Sequence, residues 1–185
     1  TVVNGYHSLP TPRVTEAIAR CTQAGIPVCL ATSRPLSAVK TIIDHLQLIG
    51  YCVISSGSQI YDPKKKKIIT EKIFPKDAIR RILHIARDFD EEILMFDGVR
   101  ETQMIGDALP RKVVGMWFPK LAPKILVQIH TQLSTVDGIS LHRMEAWDEG
   151  FECLDITNGQ ASKLHGVAQV AGLLGVDTHE MIGVG

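Results

Sequence analysis

Apolar residues at Val14, Ala17, Ile18 and Cys21 recur at the spacing of one helix face, after start signals at Thr11 and Pro12 and before a stop at Gly25. Ile26 to Ala31 is a short apolar run bounded by Gly25 and the polar Thr32-Ser33-Arg34-Pro35, which is the pattern of a buried strand. A second helical face follows at Leu36, Val39, Ile43 and Leu46. Tyr51 to Ile54 then reads as another buried strand, ending in Ser55-Ser56-Gly57. Strands alternating with helices predict a parallel sheet.

After Gly57 the rhythm changes. Gln59 to Tyr61 and Lys67 to Thr70, separated by Asp62-Pro63-Lys64, predict an antiparallel hairpin, with Lys64 to Lys67 as its solvated tip. Helical spacing returns at Ile79, Ile82, Leu83 and Ala86, and again at Ile125, Ile129 and Leu133. Strands are predicted at Ile93 to Phe96, Val113 to Phe118, Ile139 to Met144 and Phe151 to Ile156, the last two joined by a turn around Asp148-Glu149-Gly150. Hairpin strands with two helices describe an α+β layer inserted into the α/β pattern. From Ser162 a helix carries Leu164, Val167, Ala168, Ala171 and Leu174, and Met181 to Val184 is predicted as a closing buried strand.

The 185 residues are 45% hydrophobic and 22% charged, proportions that support a packed core and exclude disorder as the main state. Twenty Lys plus Arg balance twenty Asp plus Glu, so no net field draws the whole chain to nucleic acid or an anionic membrane. No apolar run reaches the ~18–20 residues of a bilayer span, and no secretory signal pattern is present. A cytoplasmic protein is the default reading. Cys21, Cys29, Cys52 and Cys153 form no Cys-x-x-Cys pair, and three of them sit in apolar segments, as reduced core thiols do. No His-Glu-x-x-His or paired His-Cys spacing marks a metal cage. The chain starts at Thr1 and stops at Gly185 just after an apolar run, which reads as a segment trimmed at both ends.

Ligands of open parallel sheets gather at the carboxyl ends of strands, where helix amino termini and free N–H groups converge. Thr32-Ser33-Arg34 qualifies, with two hydroxyls, backbone donors and a guanidinium suited to an anion; an ordinary helix cap would use the same residue types. Ser55-Ser56-Gly57 stands at the next strand end, where a simple turn is the alternative. Lys163 lies in the first turn of a helix, where a cation opposes the dipole unless an anion is shared there. His165 and His7 are read as surface or packing residues, and Trp147, Arg143 and Arg100 as insertion residues able to reach a substrate but better explained structurally. No Gly-x-Ser-x-Gly elbow, Gly-x-x-x-x-Gly-Lys loop or Gly-x-Gly-x-x-Gly fingerprint occurs.

Taken in order, these segments resemble the haloacid dehalogenase superfamily, specifically the Cof-type phosphatases with a C2-type cap. Thr1-Val2-Val3-Asn4 through Ile18 is similar to the stretch that begins at the last residue of the family's Asp-x-Asp-Gly-Thr motif. Ala31-Thr32-Ser33-Arg34-Pro35 resembles the second motif, Ala-Thr-Gly-Arg-Pro, with Ser33 at the frequent glycine. Ser55-Ser56-Gly57-Ser58 resembles Ser-Asn-Gly-Ala, with Ser56 at the common asparagine. Leu154-Asp155-Ile156 followed by Ser162-Lys163 looks like the return to the core with the third-motif lysine, and Ile182-Gly183-Val184-Gly185 like the strand before the fourth motif.

The resemblance implies an α/β fold: a Rossmann-like parallel core sheet, incomplete in this chain, formed by residues 1–57 and 154–185, with an α+β cap over 58–153 inserted into it. It implies strand order 3-2-1-4-5, so that a first strand preceding Thr1 would lie between Ile26–Ala31 and Met181–Val184. It further implies a phosphatase of small phosphorylated metabolites such as sugar phosphates, acting through an aspartyl-phosphate on an aspartate before Thr1, with Mg²⁺ held by carboxylates outside this chain. Thr32 and Lys163 become the catalytic pair, and Thr32, Ser33, Arg34, Ser56, Gly57 and Lys163 the phosphate-binding set. Ser33 can offer its N–H there if its φ is negative. A noncatalytic phosphometabolite-binding module, and a phosphotransferase or mutase on the same core, remain as alternatives.

Overall fold

A computed structural model describes residues 9–103, 111–146 and 148–184. The chain divides into two compact units, Thr1–Glu71 with Lys163–Gly185, and Lys72–Ser162. The hairpin after Gly57, which the sequence pattern places with the insertion, lies in the first unit, as do the residues from Lys163 onward.

In the first unit, α1 (Pro12–Gln23) ends where Gly25 takes a left-handed φ of 77°. Helix α2 (Leu36–His45) buries Val39, Ile42 and Ile43, which join Leu46, Cys52, Ile54 and Tyr61 in one apolar cluster. Strands β1 (Cys52–Ile54), β2 (Gln59–Asp62) and β3 (Lys67–Glu71) form an antiparallel sheet in that order. The sheet's second apolar cluster gathers Val53, Ile60 and Val170, the last from α5 (Lys163–Leu174). Alternation along β1 explains the split, since Cys52 and Ile54 face one side and Val53 the other. The four lysines 64–67 are exposed at the hairpin tip.

Two predicted strands do not form among the described residues. Ile26–Ala31 is extended but makes only one bridge, Ala31 parallel to Val53, through Val53 N–H to Leu30 O at 2.7 Å and Thr32 N–H to Val53 O at 2.9 Å. A ladder needs repeated partners, and β1 is three residues long while Pro27 has no N–H to give. This bridge is also where parallel pairing is seen among the described residues, the named strands being antiparallel. Met181–Val184 follows a 3₁₀ turn (Thr178–Glu180) and is not a strand; Ile182 is 91% exposed, and among the described residues no strand pairs with this apolar run. The two segments do not pair with each other.

The second unit contains a five-stranded antiparallel sheet whose strands lie side by side in the order Glu101–Gln103, Leu94–Phe96, Gly115–Leu121, Glu152–Asn158, Ile139–Glu145. Its elements are α3 (Lys76–Asp88), β4 (Leu94–Phe96), β5 (Glu101–Gln103), β6 (Gly115–Leu121), α4 (Pro123–Leu133), β7 (Ile139–Glu145) and β8 (Glu152–Asn158). Ile82, Leu83, Ile129 and Leu133 of the helices pack against Met116, Phe118, Leu154 and Ile156 of the sheet. β5 has no apolar alternation to reveal it. Its three residues are exposed, and it is held at the sheet edge by pairing to β4. Among the described residues no helix is long and apolar enough to cross a membrane.

Candidate functional site

The Thr32 N–H bond to Val53 O fixes the end of the extended segment beside β1. Two residues on, the Arg34 N–H donates to Thr32 Oγ1 at 3.2 Å, a local turn that sets the Thr32 rotamer. Among the described residues the Thr32 hydroxyl donates to no partner, so its proton is available to a ligand. Ser33 makes no hydrogen bond among the described residues and is not one of those with positive φ, so its N–H is also available.

The turn after β1 closes over this loop. The Ser55 N–H donates to Arg34 O at 2.9 Å, the Ser56 N–H to Thr32 O at 3.2 Å, and the Ser58 N–H to Ser55 O at 2.9 Å. Ser55, Ser56 and Gly57 take φ values of 50°, 56° and 93° in succession. Two consecutive serines in the left-handed region are costly, and such strain persists only where surrounding bonds over-determine it. Ser56 is buried beneath the loop rather than displayed.

Lys163 is the first residue of α5, which packs on β1 and on the Ser55–Gly57 turn. Gly166, one turn later on the same face, lies so close to Val53 that a Cβ there would overlap the Val53 methyls. Lys163 is exposed, and its side chain has no ion pair or hydrogen bond among the described residues. Backbone bonds therefore join Thr32 and Arg34 to Ser56 and Ser55, with Ser33 and Gly57 adjoining them in the chain, and the helix that starts at Lys163 packs against the same turn.

Other candidates fall elsewhere. Arg143 is engaged with Glu152 at 2.8–3.2 Å across the β7–β8 pair, and Arg100 closes the β4–β5 turn through its N–H to Asp97. His7 and Trp147 lie outside the described residues, as does the stretch Thr1-Val2-Val3-Asn4. All four cysteines are free thiols. Burial pushes Cys52 up to about 12 and raises Cys29 and Cys153, so these three are packing groups rather than nucleophiles at neutral pH. A pocket of about 540 Å³ in the second unit, floored by Leu83, Ala86 and Ile93 and rimmed by Asp90, Glu91 and Glu92, contains none of the predicted site residues. Among the described residues no three His, Cys, Asp or Glu side chains meet as a ligand set. The described residues therefore offer no set that fits Mg²⁺.

Sequence reasoning missed Gln59 and Glu71, which form a hydrogen-bonded chain with Ser55 behind the turn, and Ser58, whose buried hydroxyl has no partner among the described residues. A polar residue at the head of an apolar strand such as Gln59-Ile60-Tyr61 was the available signal.

The family model of haloacid dehalogenase-like hydrolases matches residues 1–112, a span that includes the Thr32 loop and the Ser55–Gly57 turn. The chain belongs to this family. No curated protein matches the sequence. The α/β fold of this haloacid dehalogenase-like chain is similar to a haloacid dehalogenase-like hydrolase from Bacteroides thetaiotaomicron, with TM-score 0.81 and 18% identity, covering 100% of this chain and 77% of the other. A haloacid dehalogenase-like hydrolase from B. subtilis is similar at TM-score 0.79 and 13% identity, over 95% and 76% of the two chains. A subclass IIB sugar phosphatase of the superfamily is similar at TM-score 0.74 and 12% identity, over 97% and 74%. At these identities the likenesses establish the fold of the haloacid dehalogenase-like chain.

Proposed function

We propose that the haloacid dehalogenase-like chain is the phosphate-binding part of a Cof-type, Mg²⁺-dependent phosphatase for small phosphorylated metabolites, sugar phosphates foremost, with the second unit as its cap. The observation that carries this reading is the Thr32 hydroxyl, its oxygen occupied by the Arg34 N–H and its proton free, beside the Ser33 N–H and the turn on which the Lys163 helix packs. Thr32 would donate to a phosphoryl oxygen. Lys163 would balance charge on the transferring group and on the attacking carboxylate, which this reading assigns to an aspartate outside residues 1–185. Mg²⁺, held by carboxylates likewise outside these residues, would neutralise phosphoryl charge when bound. The free thiols suit a reducing, cytoplasmic setting.

The test begins with the coding DNA on both sides of this segment, read for Asp-x-Asp-Gly before Thr1 and an aspartate after Gly185. The complete reading frame is then assayed with Mg²⁺ on a panel of phosphate esters. Thr32→Ala and Lys163→Ala should each lower kcat/KM by about 10²–10³-fold while leaving the fold intact. Full activity in both variants would overturn the assignment, and phosphate-ester binding without turnover would favour a noncatalytic binding module.

A further inference from the structure

Gln59 is 1% exposed, an amide buried at the start of the central strand of the first unit's sheet. Register places it opposite Ile54, the residue before the turn, on one side and opposite Glu71 on the other. Its Nε2 donates to Glu71 Oε1 at 2.7 Å, and its Oε1 accepts the Ser55 hydroxyl at 3.0 Å. The order of donors is forced: an ionised carboxylate can only accept, so the amide's NH₂ end faces Glu71, its carbonyl end faces Ser55, and Ser55 must donate. Ser55 is the first of the left-handed residues, and its N–H and that of Ser56 hold the carbonyls of Arg34 and Thr32.

We infer that Gln59 and Glu71 are positioning residues for the Thr32 loop, acting through Ser55 to hold the Ser55–Gly57 turn in the conformation that fixes the backbone of Thr32 and Arg34. The inference rests on the phosphate-site reading above. Hydrogen bonds among buried side chains reinforce one another, and one to a charged group is among the stronger kinds. The chain of bonds runs from Glu71, the last residue of the first unit's amino-terminal segment, through Gln59 and Ser55 to the turn that is bonded to the Thr32 loop.

The experiment compares Gln59→Leu, Glu71→Leu and Glu71→Gln with the parent chain by amide hydrogen exchange and by titration with inorganic phosphate. The two leucine variants should speed exchange at Ser56 and Ser58 about ten-fold relative to Val53 and weaken phosphate binding about five-fold or more. Glu71→Gln, whose carbonyl still accepts from Gln59, should restore both to within about two-fold of the parent. Unchanged exchange in the leucine variants, or a loss in Glu71→Gln equal to that in Glu71→Leu, overturns the positioning role. If phosphate binds and depends on Thr32 but ignores Gln59 and Glu71, the inference fails alone. If the parent shows no phosphate binding, or Thr32→Ala leaves it unchanged, the phosphate reading fails and takes the inference with it.

Discussion

The Ser56 N–H donates to the Thr32 carbonyl oxygen at 3.2 Å, joining two segments that lie on either side of α2 in the chain. That bond, with the one from the Ser55 N–H to Arg34 O at 2.9 Å, makes a single structure of two loops that are separate in sequence. The candidate site is therefore only as ordered as β1 and the helix packed on it.

Close packing of α5 on β1 is testable at Gly166. A Cβ there meets both Val53 methyls, and valine has little rotameric freedom to move aside. Overpacking of this kind costs about 1–3 kcal/mol, against a helix-propensity gain of about 1 kcal/mol for alanine. Gly166→Ala should lower the urea midpoint. Combined with Val53→Ala it should be more stable than the two losses sum to, by about 1 kcal/mol. Strict additivity in the cycle would show that the two positions do not collide.

Helix α2 ends in a Schellman arrangement, with the Leu48 N–H on Ile43 O and the Gln47 N–H on Asp44 O, both at 3.1 Å. Gln47 sits there at φ 49°, where a side chain is strained. Gln47→Gly should stabilise the protein by about 1 kcal/mol, raising Tm by roughly 2–4 °C. A fall in Tm by calorimetry would contradict the assigned backbone conformation.

The β4–β5 turn depends on Asp97, whose Oδ1 accepts the Val99 and Arg100 N–H groups, each at 2.7 Å. These bonds, the Arg100 one first, hold its carboxyl below the usual aspartate range. A depressed folded value means that the stabilisation is present above the ordinary aspartate pKa and is lost as pH falls through the lowered one. Asp97→Asn should therefore flatten the acid limb of the stability profile below the ordinary aspartate range, about pH 4, and leave the profile near neutrality unchanged in slope. Denaturant midpoints that decline in parallel for the two proteins would remove Asp97 from the acid response.

Much of this architecture is written in short-range pattern. Gly25 as the end of α1, the apolar faces of α2, α3 and α4, the lysine tip of the hairpin and the turn at Gly150 follow from spacing and turn chemistry alone. Pro27 aside, Ile26–Ala31 and Met181–Val184 do not form strands among the described residues for a reason outside their own residues. Apolar composition supplies the wish to be buried, but a strand exists only where another backbone offers matching N–H and C=O groups. β5 is the converse, a strand with no apolar signal that its neighbour creates.

Thr32, Ser33, Arg34, Ser56, Gly57 and Lys163 are candidates from the sequence because residue types at strand ends and helix starts suit an anion as well as a cap or turn, and because their segments resemble the family's motifs. What they do to one another is not legible there. The free proton of Thr32, the left-handed turn of Ser55 to Gly57 and the buried Gln59 between Ser55 and Glu71 depend on hydrogen bonds between residues brought together by strand register. Residue type sets which groups can donate or accept, a local property of the sequence; which partner each one finds is a distance in space, and only the tertiary structure decides it.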